Sequence, residues 1–60
     1  RMSKEEAVRH IEAASHLLAA ASHMIMSDTD VKPILGQKRW KRFVSEGIEL
    51  ARAAYDGLAE

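Results

Sequence analysis

The fold is decided by residues 40–58, which read WKRFVSEGIELARAAYDGL. At about 100° per residue, the apolar residues of this stretch other than Ala53 fall within an arc of about 160°, and every charged side chain lies outside it. Trp40, Phe43 and Tyr55, which are all the aromatic residues of the protein, belong to the apolar arc. The pattern predicts an amphipathic helix, from about residue 37 to 59, that buries one face.

A first helix is predicted upstream, over residues 4–27 approximately. Ser3 followed by Glu6 fits the capping box that starts many helices. Neither glycine nor proline interrupts the chain from there to Ser27, and its apolar face is unusually wide. A helix that is apolar around most of its circumference is normally buried by more than one neighbour. A single helix from the same chain therefore covers only part of this surface.

Residues 28–36 are predicted to form a loop or a short turn. Aspartate and threonine at 28–30 favour a break in the helical pattern. Two alternatives follow: a short turn at 31–35 before the second helix, or one helix that is weakened at Gly36 by ~1 kcal/mol relative to alanine. In either case Val31, Ile34 and Leu35 are expected to cover the open end of the hairpin.

The predicted fold class is all-α, a two-helix antiparallel hairpin in a single domain spanning 1–60, and we expect it to associate into a dimeric four-helix bundle. A chain of 60 residues buries only ~60% of its unfolded surface, and without cysteine it has no disulfide to stabilise it. Association is the remaining source of stability. The surface expected to receive a second copy, or an amphipathic helix of another protein, consists of apolar residues of the first helix: Ala7, Ile11, Ala14, Leu17, Leu18, Ala21, Met24 and Ile25.

The basic cluster, defined as Lys38, Arg39, Lys41 and Arg42, precedes or opens the second helix. The helix dipole disfavours cations there by a few tenths to ~1 kcal/mol each. One interpretation is a contact patch for phosphate, an acidic protein surface or an anionic membrane face; the other is a solvated surface on which Arg42 pairs with Glu46. A nucleic-acid-binding dimer is the alternative function, although the net charge of zero weighs against it.

Three histidines lie on the first helix, and they suggest a second alternative, a metal-linked assembly. His16 and His23 are separated by ~10 Å along a helix axis, which is too far to share an ion. Glu12 and His16 have a suitable spacing, but two ligands are too few for a tight site. Such a site would need further ligands from a second copy.

Enzymatic activity is not expected. The sequence has no cysteine nucleophile, no glycine-rich phosphate loop and no paired carboxylates on the apolar face, and no cofactor is predicted. Its longest apolar run, residues 17–21, is far shorter than the ~20 residues that span a bilayer. The absence of cysteine suits the cytoplasm. The leading hypothesis is a non-enzymatic protein–protein interaction or oligomerisation module of the adaptor, regulator or chaperone kind.

Overall fold

The computed structural model describes residues 1–27 and 33–59, with the backbone alone for Pro33 and Ile34. Helix α1 spans Lys4–Ser27 and helix α2 spans Arg39–Ala59; between them lie the short strands β1 (Pro33–Ile34) and β2 (Gln37–Lys38). The start of α1 lies beside the end of α2, since the Met2 N–H donates to the Gly57 carbonyl at 3.3 Å. The fold is therefore the all-α antiparallel helical hairpin that the sequence predicts.

The cap of α1 explains where the helix begins. The Ser3 hydroxyl oxygen accepts the Glu6 N–H at 3.1 Å and donates to the Glu6 carboxylate at 3.2 Å. The Ser3 carbonyl accepts the Ala7 N–H at 3.0 Å. The serine hydroxyl thereby satisfies the Glu6 N–H, one of the donors that the first turn leaves without an intrahelical partner, and the Ser3 carbonyl accepts the first backbone bond of the helix. The contact differs from a full capping box, because Glu6 accepts from the serine hydroxyl, whereas in a capping box it accepts from the serine backbone.

The connection contains a β-hairpin that neither alternative from the sequence anticipates. Pro33 pairs with Lys38 and Ile34 pairs with Gln37, and the two residues between them have positive φ angles of 53° at Leu35 and 80° at Gly36. Positive φ at both central residues is the geometry of the type I′ turn, which matches the twist of paired strands. Helix α2 begins at Arg39, after the two residues that pair with β1.

One expected role in this connection is wrong. Leu35 is 89% exposed at the tip of the turn, so it does not cover the open end of the hairpin. Val31, the side chain of Ile34 and the break at residues 28–30 lie outside the described residues.

The two helices meet along a seam of very small residues. Ala7, Ala14 and Ala21 of α1 are 2%, 3% and 1% exposed, and Ala54 of α2 is 1% exposed. Gly47 lies opposite them, where an added Cβ would stand 3.1 Å from Leu18 Cγ and 3.4 Å from the Ala14 carbonyl oxygen. Small residues on both sides let helix backbones approach closely. We call these five residues (Ala7, Ala14, Ala21, Gly47 and Ala54) the alanine seam.

The chain forms one layer of helices. Its extents are 40 × 20 × 12 Å, and the shortest equals the diameter of one helix with its side chains, ~10–12 Å. Its accessible surface is 4619 Å², against about 3900 Å² expected for a compact monomer of this mass. Among the described residues no large side chain is fully buried. The hairpin is therefore flat, and its interior lacks a second layer.

Candidate functional site

Large apolar side chains cover one side of the hairpin without being buried by it. Their exposed fractions run from 41% at Leu18 to 83% at Met26. Five belong to α1 and three to α2. We call this set the open face: Val8, Ile11, Leu18, Ile25, Met26, Ile48, Tyr55 and Leu58.

Helix geometry places all of these residues on the same side. Measured from Ala7 at 100° per residue, the open-face residues of α1 lie between about 0° and +100°. Measured from Gly47, Ile48, Tyr55 and Leu58 lie between about +20° and +100°. When two right-handed helices pack antiparallel, residues at positive angles from the contact line of one helix lie on the same side of the pair as residues at positive angles on the other helix. The structure agrees, since Leu58 lines one groove of about 440 Å³ together with Val8 and Ile11.

The opposite side of the hairpin is better closed. Leu17 and Met24 of α1 are half-buried, as are Phe43 and Leu50 of α2. Leu17 and Leu50 lie together around a shallow groove with His10. Exposure of large apolar side chains in the two helices is thus confined to the open face, which has the one-sided distribution of an interaction surface.

The hydroxyl of a serine on the open face already has a hydrogen-bond acceptor in its own helix. Ser15 is exposed there, at about +80° from Ala7. Its hydroxyl donates to the Ile11 carbonyl at 3.0 Å within the same helix. Because its donor already has a partner, covering Ser15 would not leave an unsatisfied hydroxyl hydrogen, which would otherwise cost about 1–3 kcal/mol.

The structure divides the predicted interface set into three groups. Ala7, Ala14 and Ala21 are already covered by α2 and belong to the alanine seam. Leu17 and Met24 lie on the closed side. Ile11, Leu18 and Ile25 remain exposed on the open face.

Five open-face residues were not included in the interface predicted from the sequence: Val8, Met26, Ile48, Tyr55 and Leu58. The signal that identifies them is their angular position. Each lies on the positive side of its own contact line, and only the antiparallel pairing shows that these two half-stripes share a face.

The basic cluster is exposed, but its side chains point in different directions. Measured from Gly47, Arg39 lies near −80°, Lys41 near +120° and Arg42 near −140°; Lys38 is in β2. Arg42 pairs with Glu46 at 3.1 Å, which is the pairing that the second interpretation expected. The Lys41 ammonium lies 5.8 Å from the centroid of the half-buried Trp40 ring. The cluster therefore does not present four cations to one surface.

The histidines are separated along α1. His16 and His23 are exposed, and His10 Nδ1 lies 2.8 Å from the Glu6 carbonyl oxygen, to which its N–H donates. Within residues 1–27 and 33–59, no three histidine, cysteine or acidic side chains converge as a metal site would require. A metal-linked assembly would need ligands from more than one chain.

Comparison of the chain with models of protein families, with curated proteins and with solved structures gives no match. In the described part of the chain, neither α1 nor α2 combines the length and apolar character needed to cross a bilayer.

Proposed function

We propose that this chain is a non-enzymatic protein–protein interaction module that pairs with a second copy of itself through the open face, giving a four-helix bundle. One observation carries the proposal: eight large apolar side chains are exposed on one side of a chain whose described core is alanine and glycine. Four-helix bundles bury such faces between two layers of helices. No catalytic step is part of the proposal.

The size of the open face supports a second copy as its occupant. Extents of 40 × 20 Å give one side of the hairpin a footprint on the order of 800 Å², which is of the same order as the ≈800 Å² of accessible surface that each partner buries in a standard stable interface. An identical hairpin offers the same length and width, so two open faces cover each other completely. A single amphipathic helix from another protein, ~10 Å wide, would cover about half of the side.

The chemistry of the face also supports self-pairing. A two-fold interface uses the same patch on both subunits, so the patch has to be compatible with itself. The centre of the open face carries Leu18 and Ile48, which are uncharged and can meet their own copies without electrostatic cost. We place the assembly in the cytoplasm as part of the proposal, since a chain without cysteine does not depend on an oxidising compartment to fold.

Sedimentation of the wild-type chain and of two arginine variants tests the proposal. Ile48→Arg puts a charge in the open face at a residue that is 59% exposed, so the hairpin itself tolerates it. Ala53→Arg is the matched control, because Ala53 is exposed on the same helix, at about −120° from Gly47 and on the side opposite to the open face. We expect dimers for the wild-type and Ala53→Arg chains and a monomer for Ile48→Arg.

The proposal fails if the wild-type chain is a monomer at tens of micromolar, or if Ile48→Arg dimerises as tightly as Ala53→Arg. A wild-type monomer that acquires mass only with a separate amphipathic helix would assign the open face to a different protein. Circular dichroism of each variant establishes that the helices are retained.

A further inference from the structure

The two edges of the open face carry opposite charges. On the outer edge of α1, Glu5 and Glu12 lie at about +160° and +140° from Ala7. On the outer edge of α2, Lys41 and Arg52 lie at about +120° and +140° from Gly47. All four residues are exposed. Between about +120° and +160° the charged residues are therefore acidic on α1 and basic on α2, while Lys4 lies inside this edge at about +60° and Arg9 beyond it at about −160°.

Glu12 and Arg52 lie at nearly the same height along the hairpin. Gly47 faces Ala14 and Leu18, so it is level with about residue 16 of α1. Arg52 is displaced from that level by ~7.5 Å toward the C-terminus of α2, and Glu12 by ~6 Å in the same direction, because the helices are antiparallel and rise 1.5 Å per residue.

Within one chain Glu12 and Arg52 stand on opposite long edges, at either side of a layer that is 20 Å wide. Glu12 forms no ion pair with any residue of 1–27 or 33–59. Arg52 of the same chain is therefore out of reach of Glu12, and a carboxylate–guanidinium pair between these two positions requires a second copy.

Arg52 has two partners in its own helix, at the outer edge of α2. Its guanidinium pairs with the Asp56 carboxylate at 3.1 Å and lies 5.2 Å from the centroid of the Tyr55 ring, which belongs to the open face. A guanidinium has five N–H donors, so it can bind a second carboxylate while it keeps the first. Its side chain is still 70% exposed.

Two face-to-face arrangements with two-fold symmetry are available. An axis along the helices sets α1 of each copy on α2 of the other, keeps every residue at its own height, and brings the acidic edge of one copy onto the basic edge of the other. An axis across the helices sets α1 on α1 and α2 on α2, so edges of like charge meet. Like-charge contacts across an interface are unfavourable.

We propose that the two-fold axis runs along the helices and that Glu12 of each copy pairs with Arg52 of the other, so that the charged edges fix the orientation of the dimer. This inference rests on the self-association proposed above. The pair would add orientation more than affinity, because charged pairs at the rim of an interface contribute little binding energy and chiefly set register.

Cross-linking distinguishes the two arrangements, and the cysteine-free chain provides a clean background. The double variant Glu12→Cys/Arg52→Cys should form a covalent dimer on mild oxidation. Ser15→Cys, near the middle of α1 on the open face, should not, because the two copies of α1 lie diagonally across the bundle. Disulfides need Cα atoms within about 7 Å, whereas diagonal axes are about 13 Å apart when neighbours are ~9 Å apart.

Charge exchange gives an independent readout. Glu12→Arg and Arg52→Glu should each raise the dimer Kd roughly five- to tenfold, and the double exchange should return it to within about threefold of the wild type. Glu49→Arg, an equivalent reversal away from the open face, should leave the Kd unchanged within about twofold.

The outcomes separate the two proposals. A monomeric wild-type chain overturns self-association itself. A wild-type dimer in which Ser15→Cys cross-links, or in which the Glu12→Cys/Arg52→Cys chain does not, leaves self-association standing and overturns this arrangement. The Glu12–Arg52 pair is also overturned if the doubly exchanged chain dimerises as weakly as the two single reversals together predict.

Discussion

Truncation of Ile48 to alanine gives a quantitative test of the open face. The change removes three carbon atoms, whose full burial is worth about 2.4 kcal/mol at ~0.8 kcal/mol for each. Since 59% of Ile48 is still exposed in the hairpin, pairing would supply about 1.4 kcal/mol of this per chain. The two copies together lose about 3 kcal/mol of dimerisation free energy, so we expect the dimer Kd to rise about 100-fold.

The hairpin itself should not be weakened by this substitution, because alanine has a higher helix propensity than isoleucine by a few tenths of a kcal/mol. Sedimentation velocity over a dilution series measures the Kd. Glu49→Ala changes the neighbouring residue, which is exposed away from the open face, and should leave the Kd within about twofold of the wild type. If Ile48→Ala dissociates no more readily than Glu49→Ala, Ile48 is not covered in the assembly and the reasoning is refuted.

Three further substitutions test local features by chemical unfolding at a fixed protein concentration. Leu35→Asn should stabilise the chain by about 1 kcal/mol, because asparagine tolerates the left-handed backbone that leucine adopts at φ 53°; a loss of stability would contradict the type I′ turn. Ser3→Ala should lower the free energy of unfolding by about 1 kcal/mol, because the helix cap is lost. The control Ser45→Ala, inside α2, should raise it by a few tenths of a kcal/mol. Effects of the same sign in the two variants would argue against the cap. Gly57→Ala should stabilise by about 1 kcal/mol in a Met2→Gly chain, which lacks the opposing Cβ, but not in the wild type, where the new Cβ would stand 2.6 Å from Met2 Cβ; equal effects in both backgrounds would show that Met2 does not pack there.

Local sequence signals were sufficient to predict the two helices. The Ser3 cap defines the start of α1, and the arc of apolar residues from Trp40 defines the buried side of α2. A loop or short turn was predicted here, but the β-hairpin was not, because the conformation at Leu35 runs against the intrinsic preference of a leucine, and only pairing of the flanking strands compensates for it. Propensity therefore failed where pairing between two short neighbouring strands decides the backbone.

The candidate site was predicted in part, for a geometrical reason. The width of the apolar surface on α1 indicated that one neighbour is not enough, and Ile11, Leu18 and Ile25 do remain exposed. The rotation of the two helices about their own axes decides which half of each apolar stripe remains exposed. That rotation is set by the contact of Gly47 with Leu18 and Ala14, and a single-helix periodicity does not contain it.

The alanine seam makes the stability of the folded chain depend on protein concentration. Each buried methyl group contributes about 0.8 kcal/mol, whereas ordering the backbone of each residue costs about 1–2 kcal/mol, so the seam alone gains little for an isolated hairpin. In the proposed assembly, pairing of the open faces then adds much of the stability of an otherwise marginal hairpin. The melting temperature of the protein rises as the protein becomes more concentrated. The amount of protein that a cell makes would in this way influence the fraction that is folded, and a newly synthesised chain would be more open to proteases until it meets its copy.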